Sequence, residues 1–201
     1  MSRNVVGDLS KLPASGFRSH SMWYWAGAGF MLIESAGFAL AAAAYLYLMQ
    51  IAKQWPLVSP PPELVWGTVQ TLVLLASLYP NALLSKAARR RDKLVTRQLA
   101  LVMAAFGVAA VAVRGLEFTS LNTRWDLDAY GSITWALIWL HTLHIVTDFI
   151  DTAFLAMFLF THPIDNERLS DVDDNCVYWT YVVLTWLPLY ALVYWAPRWV
   201  P

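Results

Sequence analysis

Five apolar runs, each nearly free of charge, alternate with short polar segments along the 201 residues. They cover about Met22 to Met49, Leu64 to Ser85, Gln98 to Phe118, Gly131 to Thr161 and Cys176 to Trp195. Roughly 20 helical residues cross a hydrocarbon layer of about 30 Å, so every run is long enough. The fourth is long enough to span with tilt. The runs are continuous rather than alternating, which predicts helices and excludes barrel strands. No repeat and no extramembrane domain interrupts them. The pattern predicts an all-α membrane bundle of about five spans, with residues 1–201 forming one domain.

The connections set an expected orientation. A proline-rich segment, Gln54 to Glu63, follows the first run. Lys86 to Arg97 is strongly basic, Thr119 to Tyr130 is polar, and His162 to Asn175 is acidic. One side of the membrane collects Arg3, Lys11, Arg18, Lys86, Arg89, Arg90, Arg91, Lys93, Arg97 and Arg168. The other collects Lys53, Arg124 and Arg198, with Arg114 near a helix end. The positive-inside rule counts Lys and Arg and gives acidic residues little weight. It predicts a cytoplasmic N-terminus and an outer C-terminus. The basic segment could also meet lipid headgroups or a partner, although topology suffices to explain it. The polar first twenty residues contain no short apolar core before a small-residue site, so insertion is expected to use the internal helices.

Composition sharpens the membrane assignment. Charged residues make up 14% of the chain and hydrophobic ones 58%, against roughly 25% charged in soluble domains. The formal net charge of zero offers no basic excess for nucleic acid. Eleven tryptophans and nine tyrosines cluster where the runs begin and end, as interface aromatics do. Small residues in the first run (Ala26, Gly27, Ala28, Gly29, Gly37, Ala39 and Ala41 to Ala44) predict close helix packing. The single Cys176 permits no internal disulfide.

Ionisable groups within spans are costly and therefore mark candidate sites. Glu34 lies near the middle of the first helix; Arg114 and Glu117 lie toward the outer end of the third. The fourth carries His141, His144, Asp148 and Asp151. Their offsets place them within an arc of about 80°, forming one polar stripe. Such a stripe faces another helix, a partner or water. It could be a hydrogen-bonded helix interface, a proton-handling site or a metal site, since two imidazoles one turn apart with carboxylates are reasonable ligands. The rise per residue puts Glu34, Asp148 and Asp151 at similar depth. Arg114 could approach the histidines or pair with Glu117 three residues on. There is no glycine-rich phosphate loop, zinc-spaced cysteine pair or nucleophile elbow. Four histidines are too few for a multi-histidine di-iron site.

The run from Trp139 to Val146 reads Trp-Leu-His-Thr-Leu-His-Ile-Val. It resembles the Gly-Phe-His-Gly-Leu-His-Val signature of haem–copper oxidase subunit III, with His141, Leu143 and His144 at matching positions. Further resemblances keep the family order. Glu34 stands where that family carries a buried, carbodiimide-reactive glutamate. Trp55-Pro56 and Pro60-Pro61-Pro62 resemble its Trp-Pro-Pro loop, followed by a helix with Thr71 and Leu72. Gly115 to Phe118 resembles the acidic–aromatic end of the next helix. Tyr178-Trp179, Trp186, Leu189-Tyr190 and Tyr194-Trp195 resemble the C-terminal aromatic pattern.

There are departures. Thr180 and Val183 replace a His and an Asp, Arg114 stands where glutamine is usual, and Trp139 and Thr142 replace glycines. Asp148 and Asp151 lie outside the pattern. Five helices resemble the shorter bacterial forms, including those of bo-type quinol oxidases. The resemblance implies an accessory, non-redox subunit of a respiratory oxidase in the bacterial inner membrane. It would bind no haem or copper itself, those cofactors residing in partner subunits. It would contact subunit I, the other oxidase subunits and phospholipid. It would shield subunit I during turnover and support proton uptake during oxygen reduction. The implied proton or lipid site comprises Glu34 with His141 first and His144 next, and then Glu117, Asp148, Asp151 and Arg114. A metal-dependent membrane enzyme built on the His141/His144/Asp148/Asp151 stripe is the alternative. A subunit III relative in a nitric-oxide reductase or supercomplex is a third reading.

Overall fold

The computed structural model describes residues 22–199. Its five long helices are α1 (Met22–Ile51), α2 (Leu64–Arg89), α3 (Lys93–Thr119), α4 (Ala129–Thr161) and α5 (Asn166–Tyr190). A π-helical turn, Ala191–Trp195, and a short α6, Ala196–Trp199, continue α5. Each long helix carries a stretch long and apolar enough to cross a membrane. The described residues contain no strand.

Loop aspartates set three of the starts. Asp92, Asp128 and Asp165 accept hydrogen bonds from the backbone N–H of Val95 (3.2 Å), Gly131 (2.6 Å) and Arg168 (2.9 Å). Each satisfies one donor that a helix N-terminus leaves free. Two starts differ from the sequence expectation. α3 begins at Lys93 rather than near Gln98, and α5 begins at Asn166 rather than near Cys176. Hydropathy marks where apolar side chains begin, whereas a capped helix runs on through polar residues into water. The acidic stretch expected as loop therefore forms the opening turns of α5.

The principal contacts close α2, α3, α4 and α5 into a ring, and α1 lies outside it against α4 and α5. The 90–92 turn and the 162–165 turn share one end of the bundle, where Arg89 meets Asp173 and Arg97 donates to the Leu159 carbonyl at 2.6 Å. The segments 52–63 and 120–128 share the other, where the Glu63 N–H donates to the Ser120 carbonyl at 3.0 Å. There Arg124 also holds the Asp126 carboxyl below the usual carboxylate range, an exposed pair of little consequence for stability. Lys86 to Arg97 and Arg168 therefore lie at one end. Arg3, Lys11 and Arg18 fall outside the described residues.

In a bilayer, buried polar groups must find partners within the protein. The fully buried Trp179 and Trp186 meet this by donating to Ser77 Oγ (2.7 Å) and Thr71 Oγ1 (2.8 Å) on α2. These tryptophans are core residues, not the interface residues their position in the sequence suggested. Trp55 is likewise buried, donating to the Tyr45 hydroxyl at 3.1 Å and packed edge-on to Tyr130. Trp25, Trp125 and Trp199 do face outward.

Glycine permits close approach where the ring is tight. A Cβ at Gly67 would strike the Tyr194 ring, and one at Gly107 would strike Phe149. The small residues of α1 behave differently: Gly27, Gly29 and Gly37 have open space where a Cβ would stand. Among the described residues nothing packs closely on these three glycines, because α1 lies outside the ring, whereas Ala41 packs against the core.

A Cβ at Gly131 would strike the Arg124 backbone carbonyl, which cannot swing aside as a side chain can. Gly131→Ala is therefore expected to cost about 1–3 kcal/mol of stability, read as a lower unfolding midpoint in detergent. An unchanged midpoint would show that the 120–128 segment yields freely.

Candidate functional site

The intramembrane charges assemble into two separate groups. The first is closed. Arg114 and Glu117 on α3 are 1% and 0% exposed, and His141 on α4 is 0% exposed. Arg114 Nη1 donates to Glu117 Oε2 at 2.8 Å, and Nη2 lies 2.9 Å from His141 Nδ1. A guanidinium only donates, so His141 Nδ1 accepts. Its Nε2–H then donates to the Val182 carbonyl on α5 at 3.0 Å. Below them lies Trp186, its ring 4.2 Å from the guanidinium carbon and stacked on His141 at 4.9 Å. The Tyr194 hydroxyl donates to Glu117 Oε1 at 2.5 Å. The π turn carries Tyr194 into this position after Pro188 has removed one backbone donor from α5. Arg114 thus takes both partners that the spacing allowed. The group braces α3, α4 and α5.

The second group opens to a cleft of about 330 Å³ between α1, α4 and α5. Glu34 stands at its centre. The Tyr178 hydroxyl lies 3.0 Å from both carboxyl oxygens, and His144 Nε2 lies 3.0 Å from Oε1. One turn further along α4, Asp148 is 1% exposed. The Asn175 amide donates to Asp148 Oδ1 at 2.9 Å and to Asp151 Oδ2 at 3.2 Å. Thr152 in turn donates to Asn175 Oδ1 at 3.0 Å. Asp148 Oδ2 is buried without a hydrogen-bond partner, and Asp151 is exposed. Phe30, Leu143 and Thr147 complete the lining.

The protonation of His144 follows from its neighbours. Its Nδ1 lies 2.6 Å from the Leu140 carbonyl, an acceptor only, so Nδ1 carries a proton. Nε2 is left facing the Glu34 carboxyl across 3.0 Å.

The stripe on α4 is therefore divided between two surroundings. Glu34 lies against His144, while His141, named first with it from the resemblance, belongs to the closed group. His141 has both ring nitrogens occupied and an arginine against it. Among the described residues, no three His, Cys, Asp or Glu side chains are grouped so as to hold a metal ion. The four positions of the metal-enzyme alternative are divided, His141 in the closed group and His144, Asp148 and Asp151 in the cleft.

Sequence reasoning missed Tyr178, Asn175, Trp186 and Tyr194 as partners of these charges. Asn175 was hidden in a stretch read as loop. The aromatics were visible only as part of a resemblance.

The comparisons agree with this architecture. The profile of the family described as cytochrome c oxidase subunit III matches residues 20–198. A protein named cytochrome c oxidase subunit 3 from Thermostichus vulcanus is 24% identical over 174 residues, covering 82% of this chain and 83% of its own. A probable cytochrome c oxidase subunit 3 from Nocardia farcinica is 25% identical over 158 residues, covering 77% and 78%. One from Mycobacterium tuberculosis is 26% identical over 151 residues, covering 72% and 73%. With five spanning helices and the family profile matched along all of them, the chain belongs to the cytochrome c oxidase subunit III family.

Proposed function

We propose that the chain serves as the accessory, non-redox subunit III of a respiratory haem–copper terminal oxidase, stabilising catalytic subunit I, binding phospholipid and supporting proton uptake during oxygen reduction. The observation that carries this reading is the Glu34 carboxyl lying 3.0 Å from His144 Nε2, with the Tyr178 hydroxyl on both its oxygens, in a laterally open cleft. A carboxyl and an imidazole placed side by side can hand a proton on. The exposed Asp151 offers a polar way in from the 162–165 end. The outward side of α1, with Leu32, Ile33 and Leu40 each more than 70% exposed, suits an acyl chain or the apolar flank of subunit I. Haem and copper belong in this reading to partner subunits. The N-terminus is assigned to the cytoplasm and the C-terminus to the outer side of a bacterial inner membrane, since Lys86 to Arg97 and Arg168 lie at one end.

Two measurements test the proposal. Mass spectrometry of subunits co-purifying with the tagged chain is expected to find an oxidase subunit I. Recovery of a nitric-oxide reductase, or of no respiratory partner, overturns it. Glu34→Gln is expected to leave assembly intact and to abolish carbodiimide labelling of the peptide containing residue 34. Full labelling in that variant would assign the reactive carboxyl to another residue.

A further inference from the structure

Hydrogen bonding around the Arg114 group is incomplete. Arg114 places Nη1 on Glu117 and Nη2 on His141, while its Nε is buried with no partner. Gln70 on α2 is fully buried, and neither end of its amide finds a partner among the described residues. The hydroxyls of Thr134 and Tyr130 on α4 are likewise buried and unpaired. A buried donor or acceptor without a partner is costly, and a buried ion pair repays its desolvation only when its remaining protons are met. Native proteins rarely leave such groups without a protein or water partner.

These groups share one region of the ring. The Tyr194 ring lies against Gly67 of α2 and its hydroxyl donates to Glu117 of α3, which sets Gly67 and Glu117 at one level. Gln70 and Arg114 each lie one turn further inward on these antiparallel helices and so share the next level. On α4 the spacing of Tyr130, Thr134 and His141 puts all three within an arc of about 40°. Thr134 and Tyr130 therefore stand on the His141 face, nearer the 120–128 segment. Of the buried side-chain atoms without a partner among the described residues, all but Asp148 Oδ2 lie in this half of the bundle.

We propose that this part of the ring binds internal water, held at its inner end by Gln70 and Arg114 Nε and toward the 120–128 segment by Thr134 and Tyr130. The donor set selects the ligand. The Gln70 amide both donates and accepts, Arg114 Nε only donates, and each hydroxyl does both. The ligand must therefore donate and accept as well. Arg114 already has its counter-charge in Glu117, so an ion would bring an unmatched charge. An apolar guest would leave every one of these groups unpaired. Buried waters typically make about three hydrogen bonds to groups of this kind. His141 and Thr134 are about 10 Å apart along α4, so more than one water is needed to serve both ends.

Hydroxyl-radical footprinting by X-ray pulses, on the full chain with its co-purifying subunits, tests the site. Radicals formed from bound water oxidise the side chains beside it. Trp186 and Trp179 are matched probes: both are buried on α5 and donate to hydroxyls of α2, but Trp186 lies against Arg114. Trp186 is expected to be oxidised severalfold faster than Trp179, and Gln70→Leu to bring it down to the Trp179 rate. Equal rates in the unaltered chain overturn the proposal, whether or not a variant folds. The unfolding midpoint in detergent gives a second reading by its sign. Bound water predicts a fall in Gln70→Leu, because Arg114 Nε is stranded, and a fall in the near-isosteric Thr134→Val. A dry core predicts a rise in Gln70→Leu, because an unpaired amide is removed. A midpoint that holds or rises in Gln70→Leu overturns the proposal.

Discussion

Arg114→Leu is expected to destabilise the bundle by about 3–5 kcal/mol, because it leaves Glu117 as an uncompensated buried charge. Glu117 would keep only the Tyr194 hydroxyl, and His141 Nδ1 would lose its donor. The loss lies in the mismatch rather than in the pair. Taking two charges out of water is itself costly, so replacing both partners of a buried ion pair is often close to neutral. Arg114→Leu with Glu117→Gln is therefore expected to recover most of the stability, the glutamine still meeting Tyr194. Equilibrium unfolding in mixed SDS and detergent micelles reads both variants. A single variant as stable as the parent, or a double variant no better than the single, would show that this pair is not what holds α3 to α4 and α5.

The second large effect is expected at Trp186. Its ring is wholly buried, and tryptophan-to-alanine changes at such positions cost about 3–5 kcal/mol through lost contacts and the cavity left behind. Here the ring also lies beneath the guanidinium of Arg114 and against His141. Trp186→Ala removes a contact surface from three helices together. Trp186→Phe keeps an aromatic face and loses the hydrogen bond to Thr71, a change of about 1 kcal/mol. The two variants separate ring from N–H in the same unfolding measurement. If phenylalanine proved as damaging as alanine, the hydrogen bond to α2 would be the main contribution and the stacking secondary.

Both variants leave the cleft intact, whereas Glu34→Gln leaves the brace intact. The four histidine and aspartate positions on α4 were expected to act as one stripe. They divide because α4 passes two different neighbours along its length. At His141 it faces α3 and α5, and the polar groups are sealed within the bundle. From His144 onward it faces α1 and α5, which cover His144 and Asp148 but leave Asp151 exposed. The exposed end of the stripe is the end nearer the 162–165 turn.

The number of spans, their helical form and the burial of most intramembrane charges could be read from residue order. Oil leaves a backbone no other way to satisfy its hydrogen bonds and tolerates a charge only under cover. Helix ends were less legible, as α5 illustrates. Eight of its first ten residues are polar, and hydropathy cannot separate a capped helix in water from a loop. Spacing gave the partners of Arg114, but not which histidine Glu34 would meet. Each residue step turns a helix by 100° and advances it 1.5 Å. A register shift of one turn between α1 and α4 therefore decides whether Glu34 meets His141 or His144. No local pattern contains that shift. It comes from the packing of whole surfaces: Gly107 under Phe149, Gly67 under Tyr194 and Trp186 among three helices.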